Sequence, residues 1–249
     1  AEKKYSTEDT IVNCIGTAHL NYKIQKKMPE IYNEANIDLC VEIAELAIQS
    51  NIGRFVHISS ISVLGNNLKS KVQLKTDPSP RDPYGLSKHV AEMKLKELYF
   101  NRSESLIILR PSLVYGVNAR GNFSKLCKVI NLSFPLPLAG LKNRKSFLSD
   151  MNFASFVHLV CTEHFESPIT FNISDVEQNN MIDFIRLIAK AQKKNLVVFN
   201  LPLKIVKVIF HIFRKQEYFE KLSEDFVIDM SEVIKVTGWI PAETQEEAI

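Results

Sequence analysis

Glycine is scarce in this chain: there are eight in 249 residues, and none stands before Gly16. Phosphate-cradling loops need several glycines close together so that bare backbone can wrap a pyrophosphate, and no such cluster exists here. There is also no long block of lysine and arginine of the kind that follows a nucleic-acid backbone, and the net charge is only +3. Nucleic acid is therefore not an expected partner. The four cysteines, Cys14, Cys40, Cys127 and Cys161, form no CxxC pair, and each stands in an apolar segment. They read as reduced, buried thiols of a cytoplasmic protein. No apolar run approaches the roughly 18 residues of a membrane span, and the charged opening AEKKYSTEDT does not read as a signal peptide.

What remains is an ordinary globular composition, 45% hydrophobic and 24% charged, with enough chain for one large domain or one plus a small annex. TIVNCI (10–15), RFVHISS (54–60) and SLIILR (105–110) are short β-rich apolar runs. Their continuous apolarity predicts strands covered on both faces. Between the first two, Tyr32, Ala35, Leu39, Ile43, Leu46 and Ala47 recur at helical spacing, with Gly53 as the expected terminator. Between the second and third, a helix is predicted to start near Pro83 and to run through Val90, Met93, Leu95 and Leu98. Strand, helix, strand, helix, strand predicts a parallel sheet with crossover helices. Beyond Arg110 the pattern loosens into loops of the kind that hold ligands at the carboxyl ends of parallel strands. A strand at 169–174, a helix at 181–192, a strand at 195–200 and helices near 203–213 and 230–236 follow.

At 81–92, RDPYGLSKHVAE places Tyr84 and Lys88 four residues apart at a helix start, so that both rise from one face. Ser59, Ser60 and Ser62 close the strand before it. Oxidising a hydroxyl by hydride transfer needs a base, and reducing the ketone needs the same group as acid. A free tyrosine, with a pKa near 10, is a poor base at neutral pH. A neighbouring ammonium is expected to lower that pKa, and a serine hydroxyl to share the proton. The plainer alternative is that the serines only satisfy backbone groups at the strand end.

IVNCIGTAH, YNEANID, RFVHISSISVLG, DPYGLSKHVAE, LIILRPSLVYG, GNF, PLPLAGLKNRKS, TFNIS and VTGWIP occur in that order from residue 10 onward. In this the chain resembles the extended short-chain dehydrogenase/reductase family, in its branch of nucleotide-sugar epimerases, dehydratases and 4-ketoreductases of bacterial surface-polysaccharide synthesis. The resemblance implies an α/β, Rossmann-type parallel sheet with a smaller carboxyl-terminal substrate-binding region. It divides the chain into 1–115, carrying the catalytic residues, and 116–249, mainly substrate-binding with some segments returning to the core. It implies Ser60, Tyr84 and Lys88 as catalytic residues. Gly16, Asn36, Pro111, Tyr84 and Lys88 would meet NAD or NADP, with Thr17 and Ser112 beside them. Ser62, Asn122, Phe123, Arg144 and Lys145 would meet the substrate, the last two at its diphosphate, where cationic side chains suit charged oxygens. His19 matches a histidine of this branch. The implied substrate is a UDP-linked N-acetylhexosamine or a sugar on a lipid diphosphate, and a homodimer is the implied assembly.

Members of the family carry a glycine-rich first βαβ unit ahead of TIVNCI, which this sequence lacks. Two readings follow: an enzyme whose first unit is encoded or placed elsewhere, or a cofactor-free, non-catalytic sugar-nucleotide-binding or interaction protein. The same gap is expected to leave sheet edge and helix surface uncovered. LPLKIVKVIFHIFRK (201–215) is the most apolar helix candidate, with Val206, Ile209, Phe210 and Phe213 on one face and Ile205, Val208 and Ile212 widening it. It reads either as a helix packed into the substrate region or, with its lysines, as one resting on a membrane surface.

Overall fold

The computed structural model describes residues 5–18, 29–65, 71–117, 119, 121–213 and 216–249. Its centre is a four-stranded parallel sheet in the order β1-β2-β3-β6, built from Thr10–Asn13, Arg54–Ile58, Ser105–Pro111 and Ile169–Ile173. The register runs Asn13 to His57, Ile58 to Leu109 and Pro111 to Ile173, which aligns the carboxyl ends along one edge.

Successive β3 side chains point to opposite faces and define two cores. Ile107 and Leu109 meet Val56, Phe156, Phe171 and Trp239 on one face. Leu106 and Ile108 meet Phe55, Ala44, Ala91 and Leu95 on the other. This second face is closed by α1 (Leu39–Gln49) and α2 (Pro83–Leu98). The first is closed by α4 (Asp150–Thr162) and α8 (Ser231–Thr237). Each fully buried large side chain is worth about 1.5–3 kcal/mol, so β3, buried from Leu106 to Pro111, anchors the sheet. β1 differs from the expected two-sided burial. Among the described residues it pairs only with β2, and Val12 is exposed.

Several expectations are corrected locally. The segment before α1 opens with a 3-10 turn, Pro29–Tyr32, and a π turn, Glu34–Asp38. Helix α1 ends at a Ser50 cap, and Asn51 rather than Gly53 takes the left-handed conformation (φ 56°). Gly53 is required by packing instead, since a Cβ there would stand 1.9 Å from the Thr7 carbonyl oxygen. Residues 195–200 form no strand: Val198 makes a lone bridge to Leu136. That neighbour is flanked by Pro135 and Pro137, which have no N–H to extend a ladder. Cys14 is exposed and only Cys40 is buried, because β1 is uncovered where Cys14 leaves it.

The remainder forms a second cluster. β4 (Leu113–Tyr115) pairs in parallel with β5 (Phe147–Ser149). These pack with α3 (Asn122–Asn131) and α5 (Met181–Ala191) around Tyr115, Phe123, Phe147 and Phe184. The Phe147 and Phe184 rings stack at 3.7 Å. Two further helices, α6 (Leu203–Ile212) and α7 (Gln216–Ser223), precede α8. No helix of the described residues is long and apolar enough to cross a membrane.

Candidate active site

The segments leaving β1 and β2 carry Gly16 and Ser60, and Pro111 and Ser112 close β3, all on the carboxyl edge of the sheet. Helix α2 starts against the same edge. Asp82 caps it, accepting from the Gly85 N–H at 2.7 Å, and Pro83 supplies the preset φ of the first turn. Gly85 lets this turn press onto the loop after β2, since a Cβ there would stand 2.5 Å from the Ser62 carbonyl oxygen. The close approach sets Tyr84 against the loop that carries Ser60, near enough for the Ser60 side chain to act on its hydroxyl. Ser60 also caps its own 3-10 turn, accepting from the Ser62 N–H at 3.2 Å, and its hydroxyl lies 3.2 Å from that of Ser62. The Tyr84 ring rests on Tyr32 at 5.7 Å.

One turn further, Lys88 is buried and its Nζ donates to the Ile58 carbonyl oxygen at 2.9 Å. Asn36, fully buried in the π turn, ties three pieces together. Its Oδ1 accepts from the Thr17 N–H at 2.7 Å, and its Nδ2 donates to the Thr17 carbonyl at 3.1 Å and to Ser87 Oγ at 2.9 Å. π turns recur where such functional positions must be re-aimed. A Cβ on Gly16 would stand 2.9 Å from Asn36 Oδ1 and 3.0 Å from Lys88 Nζ. Bare backbone therefore lies directly against two polar side chains, a surface that a flat ring or a ribose can approach.

The electrostatics depart from expectation. The Tyr84 hydroxyl is pushed above its usual pKa, first by burial and further by Asp82, while the Ser60 side chain pulls it down. The Lys88 ammonium is directed instead to the β2 carbonyl of Ile58. Burial lowers the Lys88 pKa, while Cys40, Glu92 and Cys14 raise it. Beneath it, burial holds His57 well below its ordinary value and lifts the Cys40 thiol to about 11. The Cys40–His57 contact at 3.4 Å is therefore a neutral core pair, not a nucleophile.

One feature escaped the reading of the sequence. Glu92 receives Arg110 through both Nε, at 2.9 Å, and Nη2, and also the Ser59 hydroxyl, all within the core. This ties α2 to the ends of β2 and β3 beside Ser60 and Pro111. Glu92 lies four residues beyond Lys88 on an otherwise inward face with Ala91 and Leu95, and a charge in that position was the available signal. Ser112 Oγ is buried with no hydrogen-bond partner among the described residues.

The residues expected at the substrate lie around the second cluster. Asn122 opens α3, and its side chain is outside the described residues. The Phe123 ring is buried against Tyr115 and Phe184, which leaves its backbone rather than its ring for a ligand. Arg144 and Lys145 stand on the strand-like segment before β5, bridged to Asn180 and Phe226 respectively. Arg144 is exposed. His19 lies outside the described residues.

A family model described as the NAD dependent epimerase/dehydratase family matches residues 3–174. A UDP-glucose 4-epimerase of Vibrio cholerae is 30% identical over 241 residues, covering 95% of this chain and 73% of that protein. The N-acetyl-alpha-D-glucosaminyl-diphospho-ditrans,octacis-undecaprenol 4-epimerase of Escherichia coli O157:H7 is 25% identical over 178 residues, 69% of this chain and 52% of that one. In fold, a UDP-glucuronic acid 4-epimerase from Bacillus cereus, solved in complex with NAD, superimposes with a TM-score of 0.72 at 19% identity. That match covers 96% of this chain and 71% of the solved one. The parallel sheet and the match across more than half of its length make this chain a member of the NAD dependent epimerase/dehydratase family.

Proposed function

We propose that this chain carries the catalytic residues for NAD- or NADP-dependent epimerisation or keto reduction at carbon 4 of a UDP-linked N-acetylhexosamine used in surface polysaccharide. The observation that carries this reading is the convergence at the carboxyl edge of the sheet of the α2 start bearing Tyr84 and Lys88, the turn bearing Ser60, and the Gly16 backbone. The two relatives described above are named as 4-epimerases of sugars borne on a diphosphate, which supports the position of the chemistry. Residues around Gly16 fit the nicotinamide and ribose end of the cofactor, whereas no glycine-rich turn in this sequence fits its pyrophosphate.

When bound, the cofactor supplies the hydride acceptor and donor. The Tyr84 hydroxyl oxygen takes the proton of the sugar hydroxyl as it is oxidised and returns it on reduction. Ser60 orients that hydroxyl and shares its hydrogen bond. Lys88 has three N–H donors and gives one to Ile58, which leaves two for ribose hydroxyls. Arg144 and Lys145 meet the diphosphate, with Asn122, Phe123 and Ser62 along the sugar nucleotide. Leu39 and Leu46 on α1, Leu86 and Met93 on α2, and Phe100 in the turn after it, recur every seven residues and are exposed. They support a homodimer, which light scattering would show as twice the 28.4 kDa chain mass.

The test is turnover of UDP-N-acetylglucosamine with NAD present, followed by sugar analysis of the product. Tyr84→Phe should lower the rate about 10²- to 10⁴-fold with the fold unchanged. Wild-type rates in that variant would remove Tyr84 from the reaction. Binding of UDP-sugar without any conversion would favour the non-catalytic reading.

A further inference from the structure

Helix α6 is not the buried helix that its apolar content suggests. Only Val206 is buried, while Phe210 packs on Phe219 of α7 at 5.6 Å. Ile205, Val208, Ile209 and Ile212, at i, i+3, i+4 and i+7, form a continuous outward stripe with exposures of 47, 56, 36 and 69%. Lys204, Lys207 and His211 form a second, exposed stripe alongside it. The helix thus has three faces, one holding it to the protein, one apolar and one basic.

The surroundings extend this pattern. Leu203 lies 3.9 Å from where a Cβ on Gly140 would stand, so the start of α6 sits over the loop that follows α3. That loop runs beside 197–199 through hydrogen bonds between Leu136 and both Val197 and Phe199. Leu132, Phe134, Val197 and Phe199 are exposed there as well. The charge is segregated too. Residues 184–216 hold eight lysines and arginines and no aspartate or glutamate, whereas the net charge of the whole chain is +3. Within that stretch Arg186 and Lys190 are paired with Asp183 and Glu246. Among the described residues, Lys204 and Lys207 have no carboxylate within ion-pair distance.

We infer that α6 and the adjoining 132–134 and 197–199 segments form a docking face for an anionic lipid bilayer. The helix lies in the plane of the interface, with Ile205, Val208, Ile209 and Ile212 among the acyl chains and Lys204 and Lys207 at the headgroups. Ten residues make about 15 Å of helix, half the thickness of a hydrocarbon core, so the helix rests on the bilayer and does not cross it. A protein partner or a second copy would bury the apolar stripe equally well. The one-sided charge beside it is what matches an anionic surface. The inference holds whether or not Tyr84 turns over a UDP-sugar.

Flotation of the full chain with vesicles tests it, comparing phosphatidylglycerol–phosphatidylcholine mixtures with phosphatidylcholine alone. Wild type should float with the anionic vesicles at low salt and be released at high salt, where screening shortens to a few ångströms. Lys204→Gln/Lys207→Gln should weaken binding about fivefold per charge removed. Ile205→Ser/Ile212→Ser should abolish it while keeping the wild-type unfolding temperature, since both side chains are exposed. Failure of wild type to float on either vesicle overturns the inference. So does unchanged binding by the serine variant, or an oligomer in light scattering that the serine variant dissolves without any vesicle binding by wild type.

Discussion

Glu92→Gln isolates what holds α2, the helix of Tyr84 and Lys88, against the sheet. Glu92 and Arg110 are 1% and 3% exposed, and the carboxylate takes both guanidinium contacts and the Ser59 hydroxyl. Glutamine keeps the shape and removes the charge, leaving the guanidinium buried without a counter-ion. Breaking a buried pair in this way costs about 3–5 kcal/mol, a large share of the roughly 5–15 kcal/mol that holds a domain folded. With an unfolding entropy of about 2.1 cal/mol/K per residue, a chain of this length should lose about 6–10 °C in Tm. Thermal unfolding by circular dichroism reads this directly. Replacing both partners, in Glu92→Gln/Arg110→Met, removes the stranded charge and should recover most of the loss. Turnover should fall in the single variant by more than stability explains, because Ser59 adjoins Ser60 and Glu92 lies one turn from Lys88. A shift under about 2 °C, or a double variant no better than the single one, would refute the reasoning.

Gly16→Val places branched carbons where even a Cβ stands 3.0 Å from Lys88 Nζ, so any NADH binding seen with wild type should disappear in calorimetry while unfolding stays cooperative. Wild-type heats in that variant would move the cofactor away from Gly16. The phenolate absorbance that distinguishes wild type from Tyr84→Phe should emerge only above pH 10.0, because the folded chain holds the Tyr84 proton past its unfolded value. The sign follows: this group's stabilisation is complete below pH 10.0 and is lost as pH rises through the higher folded pKa. A difference spectrum near neutral pH would contradict the burial that raises it. Lys88 acts in the opposite sense, since its lowered pKa makes its contribution grow as pH rises toward 10.5.

The sheet was legible because β2 and β3 are continuous apolar runs and α2 announces itself with Asp82, Pro83 and an inward face. The second cluster was not. β4 and β5 have three residues each, too few for a period to register, and Phe123 looks the same in sequence whether it faces a ligand or Phe184. The 195–200 run was misread as a strand because β propensity says nothing about its neighbour, whose prolines close the ladder. α6 is the reverse case. Its apolar width was visible, but which of its stripes meets the protein depends on how the chain folds back as α7 and on the loop at Gly140, far earlier in the chain. Networks such as Asn36–Thr17–Ser87 and Ser59–Glu92–Arg110 join residues 18 to 51 positions apart, and no local motif encodes them.

Tyr84 and Lys88 show where spacing stops being informative. Four residues on a helix place both side chains on one face, and so they are. The direction of a long lysine is decided by whichever acceptor lies within reach. Here that is the Ile58 carbonyl at the end of β2, 2.9 Å away, with Cys14, Cys40 and Glu92 around it. The ammonium is therefore committed to the strand edge, and at the phenol the Ser60 side chain acts against burial and Asp82. In this arrangement the Tyr84 phenol is held in its protonated form more firmly than a free tyrosine. To remove a hydroxyl proton it needs additional positive charge near its oxygen. Lys88 Nζ, held on Ile58, lies 3.0 Å from where a Cβ on Gly16 would stand, so the strand-edge carbonyl and the Gly16 backbone together enclose it.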